Sequence, residues 1–189
     1  DATAPDGKLA RAITEYIRDT ETELLFNHSS RVYHFGALAG VHRGLTFDRE
    51  LLYAGAMFHD IGLMPSHSSQ TERFEVDGAH AGRDFLRSHG ISEADAYTVW
   101  TAIALHTTPG VPEHMHPVVA LVTAGVEMDV VNSPAETHAY ESLLLEVAAL
   151  PEGIAPLIPA GERPRERGAA EPFIIPLTPD LVDTLAHAA

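Results

Sequence analysis

The chain has 189 residues, enough for one domain with a full core and no covalent staples. It contains no cysteine, which excludes disulfides, thiolate metal sites and thiol nucleophiles and is compatible with a cytoplasmic setting. Acidic side chains outnumber basic ones 27 to 12, for a formal charge of -15; this argues against nucleic acid or anionic membrane as partner, since both need clustered Lys and Arg, and leaves a small-molecule substrate.

The opening "DATAPDG" carries no signal peptide and no starting methionine, so trimming at the N-terminus is expected. No run approaches the roughly 20 apolar residues of a membrane span. From Lys8 to Gly44, apolar residues recur at three- and four-residue spacing, which predicts helix with Gly44 at its C-terminal end. Asp48 is placed to cap the next helix, "RELLYAGAMFHD", which stops at Gly62 and Pro65. "MPSHSSQTERFEV" reads as a loop or short irregular helix, after which Asp77 is expected to cap "GAHAGRDFLRSHG", closed by Gly90. Ser92 and Asp95 form a capping-box pattern for "EADAYTVWTAIALH", which halts at "TTPG". A helix from about Pro117 to Val131 follows, and Ser133, Pro134 and Glu136 signal another.

After Leu150 the texture changes, with seven of the thirteen prolines in the last 39 residues. The expected organisation is an all-α helical domain over 1–150. A Pro-rich extension over 151–189 would pack on the body or on a second subunit of a homo-oligomer, ending in a short helix near "TPDLVDTLAHA".

Polar groups interrupt core-like runs at a few places. "LYAGAMFHDIG" ends an apolar run on the adjacent His59 and Asp60. His28 lies in "NHSSRVYHFG", His80 in "DGAHAG", His106 ends "TAIALH", and Asp129 breaks the apolar "TAGVEMDVV". A lone histidine at a helix end ordinarily serves the helix dipole. One such group on each of several helices is a different pattern, because imidazole nitrogen and carboxylate oxygen are the donors a cysteine-free metal site must use.

In this order the chain resembles the H…HD…D signature of the HD-domain superfamily of metal-dependent hydrolases. The phrases "NHSSRVYHFG", "RFEVDGAHAGRDFL", "AIALHTTPGVPEH" and "ALVTAGVEMDV" are similar to its cyanamide hydratase-like branch, over roughly residues 25 to 132. The resemblance implies a helical bundle holding a divalent metal by His28, His59, Asp60 and Asp129. In dinuclear members two further histidines bind a second ion, with the HD aspartate bridging, and His80 and His106 match those positions. Zinc or iron, with manganese as a further option, suits such N/O ligands. Where many phosphohydrolase members carry Lys soon after the HD pair, this chain has Leu63, which turns the reading away from phosphoesters.

The reading is therefore an enzyme that adds metal-activated water to a small polar electrophile. Asp60, His80, His106 and Arg31 are the catalytic candidates, and Arg73, Glu75, Thr107 and Thr108 the substrate-binding ones. Arg31 is one turn from His28, with a salt bridge to a carboxylate as its other reading. Alternatives are a mixed-valent di-iron oxygenase cleaving a C–C or C–P bond, then a phosphohydrolase, then a non-catalytic ligand-sensing domain. Of the remaining histidines, His34 is expected to face away from His28, and His89 to suit a helix C-terminus. His67, His114 and His116 are loop residues expected at the solvent, with the rim of a pocket as their other reading, and His42, His138 and His187 are expected at the surface. Trp100 is assigned to the core.

Overall fold

Six α-helices and two single 3₁₀ turns make up the ordered elements of the computed structural model, which describes residues 3–130, and no strand occurs among the described residues. The helices are α1 (Lys8–Thr20), α2 (Glu23–His42), α3 (Arg49–Phe58), α4 (Phe74–Ser88), α5 (Glu93–Leu105) and α6 (Pro117–Val130). The all-α expectation holds. The helix signalled at Ser133, the Pro-rich extension, the boundary at 150, His138 and His187 lie outside the described residues.

The caps explain the boundaries. Asp48 accepts from the amides of Glu50 and Leu51 at 2.8 and 3.0 Å, and the Ser92 hydroxyl accepts from the amide of Asp95 at 3.2 Å while donating to its carboxylate. Gly44 and Gly90 take φ values of 64° and 78° just beyond α2 and α4, the left-handed conformation that ends a helix. The helical stretch expected from Lys8 to Gly44 divides into two helices. Glu21 closes α1 through its amide to Ile17, and Thr22 caps α2 by accepting from Leu25. Asp77 does not cap α4, which starts three residues earlier at Phe74. Its carboxylate accepts instead from the Ser69 amide and so ties down the preceding loop. The α3 helix is also shorter than expected. It ends at Phe58 with His59 as its C-terminal cap, and Ile61–Leu63 form a 3₁₀ turn.

Two central helices carry the core. Every residue of α3 from Leu51 to Phe58 is buried, and α2 is buried on all sides from Arg31 to Gly40. Such all-round burial explains why neither reads as a one-sided amphipathic helix. By contrast α1 buries only the stripe Ala10, Ile13 and Ile17. Helices α2 and α6 pack along each other, as do α4 and α5.

Backbone contact between α2 and α6 is possible because both carry glycine at the crossing. A Cβ on Gly36 would lie 2.6 Å from the Leu121 carbonyl oxygen, and one on Gly125 would overlap the carbonyl oxygen of Val32. Gly125→Ala is therefore expected to lower stability by about 1–3 kcal/mol through overpacking, read as a fall in Tm. An unchanged Tm would show that the two helices separate freely. This crossing matters because Val32 and Gly125 flank the residues through which α2 and α6 meet, His28, Arg31 and Asp129.

Candidate metal centre

The site begins with one buried charge pair. Arg31 on α2 grips Asp129 on α6 through two parallel hydrogen bonds, Nε to Oδ1 at 2.7 Å and a terminal nitrogen to Oδ2 at 2.9 Å. One turn earlier on α2, His28 Nδ1 lies 2.5 Å from the same Asp129 Oδ2. Burial alone would raise the Asp129 carboxyl, but the bonds from His28 and Arg31 hold it below its ordinary value. A carboxylate at Nδ1 fixes that nitrogen as the donor and turns the Nε2 lone pair the other way.

Two further imidazoles are oriented by a different device. His59 follows α3 and His106 follows α5, each at the C-terminal cap. The last carbonyls of a helix lack intrahelical donors. His59 Nδ1 donates to the Ala56 carbonyl at 2.7 Å and His106 Nδ1 to the Ile103 carbonyl at 2.6 Å. A carbonyl can only accept, so in both rings the proton sits on Nδ1 and Nε2 is free to act as a ligand.

All three Nε2 atoms converge on Asp60. His59 Nε2 is 3.2 Å and His28 Nε2 3.5 Å from Asp60 Oδ2, while His106 Nε2 is 3.7 Å from Oδ1. The His28 and His59 Nε2 atoms are 3.1 Å apart. Two imidazole lone pairs and a carboxylate oxygen at these separations repel one another unless a cation lies among them. Zinc bonds of 2.0–2.1 Å imply ligand separations of about 3.3 Å in a tetrahedron, and 3.1, 3.2 and 3.5 Å bracket that edge. His28, His59 and Asp60 form the group of donors that can hold a metal ion among the described residues.

Protonation and unmet valence agree with this. Burial would raise Asp60, but His59 above all, with His28 and His106, keeps its carboxyl well below the usual range. Burial lowers His106 to about 4, with the neighbouring His59 adding to the effect, so its ring is neutral at ordinary pH. Burial would lower His59 as well, but Asp60 and the Ala56 carbonyl outweigh it and raise the ring. Buried side-chain atoms without a hydrogen-bond partner include Asp60 Oδ1 and His106 Nε2. Such orphans are costly unless another ligand satisfies them.

The other expected site residues fall into place differently. Asp129 stands behind His28 with both oxygens engaged, so it can ligate an ion only by loosening the Arg31 pair. Arg31 is buried in that pair. His80, half-buried on α4, accepts from the Trp100 indole at 3.2 Å and is not in the metal-capable group; the same bond gives half-buried Trp100 a polar role besides core packing. Glu75 is buried at the start of α4. It accepts from Thr107 at 2.6 Å and from Arg73 at 2.5 and 3.2 Å, and these bonds hold its carboxyl below the ordinary value against its burial. The remaining reach of Arg73 is largely in solvent. Thr108 closes the turn after α5 through its amide to Leu105. His67, expected at the solvent, is partly buried and bonds the Tyr16 hydroxyl at 2.8 Å. His34 is buried against Tyr33, and His114 and His116 are exposed.

One residue was not singled out in the sequence. Glu21, in the corner between α1 and α2, is buried. Its Oε2 meets the Ser29 hydroxyl at 3.4 Å and its Oε1 has no partner. Burial raises it to about 8, the charge on Asp60 adding to the effect. The acidic run "TETE" hides it, because an acid between two helices normally reads as a solvated turn.

The family model described as HD domain matches residues 25–151, two thirds of the chain. No curated protein matches it.

Proposed function

Because the chain belongs to the HD-domain family, whose members are generally metal-dependent hydrolases, we propose that it is a metal-dependent enzyme adding water to a small polar electrophile, with a nitrile such as cyanamide as the substrate type. The observation that supports this most is the convergence of three imidazole Nε2 atoms on Asp60, with His106 Nε2 and Asp60 Oδ1 left without a hydrogen-bond partner.

A divalent ion, zinc or iron by the N/O donor set with manganese a further option, would be held by His28, His59 and Asp60, and would supply acidified water and polarisation of the substrate. The protein residues do the rest. The Arg31–Asp129 pair keeps His28 in one tautomer and one orientation. His106 Nε2, unprotonated at neutral pH, accepts a hydrogen bond from the attacking water or substrate. Arg73 and Thr107, both on Glu75, offer polar groups at the edge of His106 where a small substrate can be oriented, with Thr108 beside them. Leu63 follows the His59–Asp60 pair closely and brings no cation to a phosphate oxygen, which is why hydration ranks above phosphoester hydrolysis.

The test is direct. Turnover is expected to vanish on chelation and to return with one added metal, and cyanamide should yield urea. A fully metallated protein that forms no urea would remove the proposed substrate while leaving the metal site intact.

A second reading is an oxidative di-iron centre. It is favoured by Asp60, which presents Oδ1 to His106 and Oδ2 to His28 and His59, the disposition of a carboxylate able to bridge two ions. Two irons per chain, with consumption of dioxygen, would select it. His80 would then have to contribute a ligand alongside its bond to Trp100.

A further inference from the structure

We infer that Glu21 is a further catalytic residue of this site, its unpartnered Oε1 taking the proton from the water that adds to the substrate. The inference deepens the hydration reading and rests on it.

The geometry behind it is the coincidence of two independent features. Glu21 is only 8% exposed and keeps one oxygen without any partner, an arrangement that costs free energy and so calls for a use. Its electrostatic neighbours are Asp60 and His59, the adjacent pair of the metal-capable group. The other oxygen is held by Ser29, next in sequence to His28, so one turn of α2 positions both the ligand and the acid. Glu21 lies at the end of α1, so the carboxylate comes from an element that contributes nothing else to the site. Burial raises its pKa to about 8, so the carboxylate form that accepts the proton grows in as pH rises towards that value.

The step balances without a further reactant. As the water oxygen bonds to the substrate carbon, one O–H bond breaks and its proton passes to Glu21 Oε1. The electron pair of the opened C–N π bond collects on nitrogen, which takes the proton back from Glu21. The carboxylate is regenerated, and nothing is oxidised or reduced.

The experiment compares the full-length wild type with Glu21→Gln, each stripped of metal and reloaded with one equivalent of cobalt(II), whose visible spectrum follows ionisations in its surroundings. Both proteins are expected to bind one cobalt. The wild-type spectrum should titrate with pH in two steps and the variant in one. Turnover of a hydrated nitrile should fall on the order of 10²- to 10⁴-fold in the variant with little change in KM. Glu21→Asp keeps the acid and should restore two steps at displaced midpoints, which also serves if the Gln protein folds poorly. Equal numbers of steps in wild type and Gln variant would overturn the assignment. So would loss of cobalt from a folded Gln variant, since that would make Glu21 a ligand. A wild type that binds no cobalt would remove the metal reading itself. One that binds cobalt but forms no product leaves the two-step comparison to decide on Glu21 alone.

Discussion

Asp60→Asn is expected to abolish tight metal binding and, with it, turnover. Asp60 is the one group that all three imidazole Nε2 atoms face, at 3.2, 3.5 and 3.7 Å. The amide is nearly the same size, so helix content should survive. The substitution removes the negative charge and places an NH₂ donor or a weak acceptor where an anionic ligand is required. Loss of partners that only orient a ligand costs roughly 10–100-fold in metal affinity, so loss of the ligand itself should exceed that. Calorimetric titration of the metal-free protein with zinc measures it. A variant that binds zinc as tightly as wild type would place the metal elsewhere.

The second large effect concerns stability. Arg31→Met leaves Asp129 buried with His28 as its remaining partner among the contacts described. Removing one member of a buried ion pair costs about 3–5 kcal/mol because the other charge stays desolvated and uncompensated. The cost should depend on pH in a definite direction. In the wild type the Asp129 carboxyl lies below its ordinary 3.8, so its pairing stabilises the fold above that value and the contribution is lost as pH falls through the folded pKa. The gap between wild type and Arg31→Met in denaturant unfolding should therefore be full near neutrality and narrow in acid. Arg31→Met combined with Asp129→Leu removes both charges and should recover much of the stability. It should not recover metal affinity, because His28 Nδ1 has lost the carboxylate that orients it. Equal affinities in the double variant and wild type would deny Asp129 any part in the site.

Much of this was legible in the residues. Caps at Asp48, Ser92, Gly44 and Gly90 are local chemistry, decided within three or four residues, and they fall where the sequence places them. His59 and Asp60 stood out because an apolar run ended on two polar groups. What the sequence conceals is whatever depends on distant segments meeting. Asp129 reads as a ligand, yet 98 residues separate it from the Arg31 that holds both of its oxygens. His80 and His106 look equivalent in sequence, each beside apolar residues on its helix. Only His106, at a helix end, can turn Nδ1 onto a free carbonyl and aim Nε2 at Asp60; His80 sits mid-helix and meets Trp100 instead.

The helix-end histidines show how a bland local signal and a functional one can be the same feature. His59, His89 and His106 all donate from Nδ1 to a carbonyl three or four residues back. For exposed His89 the bond does no more than finish α4. For His59 and His106, buried at neighbouring helix ends with ring centroids 4.9 Å apart, it aims the Nε2 lone pair at Asp60. Glu21 was missed for the converse reason. Nothing in "TETE" distinguishes an acid buried at the corner of two helices from one left in water.

The central claim is that His28, His59 and Asp60 bind a divalent metal ion. It is tested most directly by elemental analysis of the protein purified without chelators, alongside Asp60→Asn prepared in the same way. At least one divalent transition-metal ion per wild-type chain is expected, with none retained by the variant. A wild-type protein that is fully helical, carries no metal and takes up none from added zinc or iron(II) would contradict the claim.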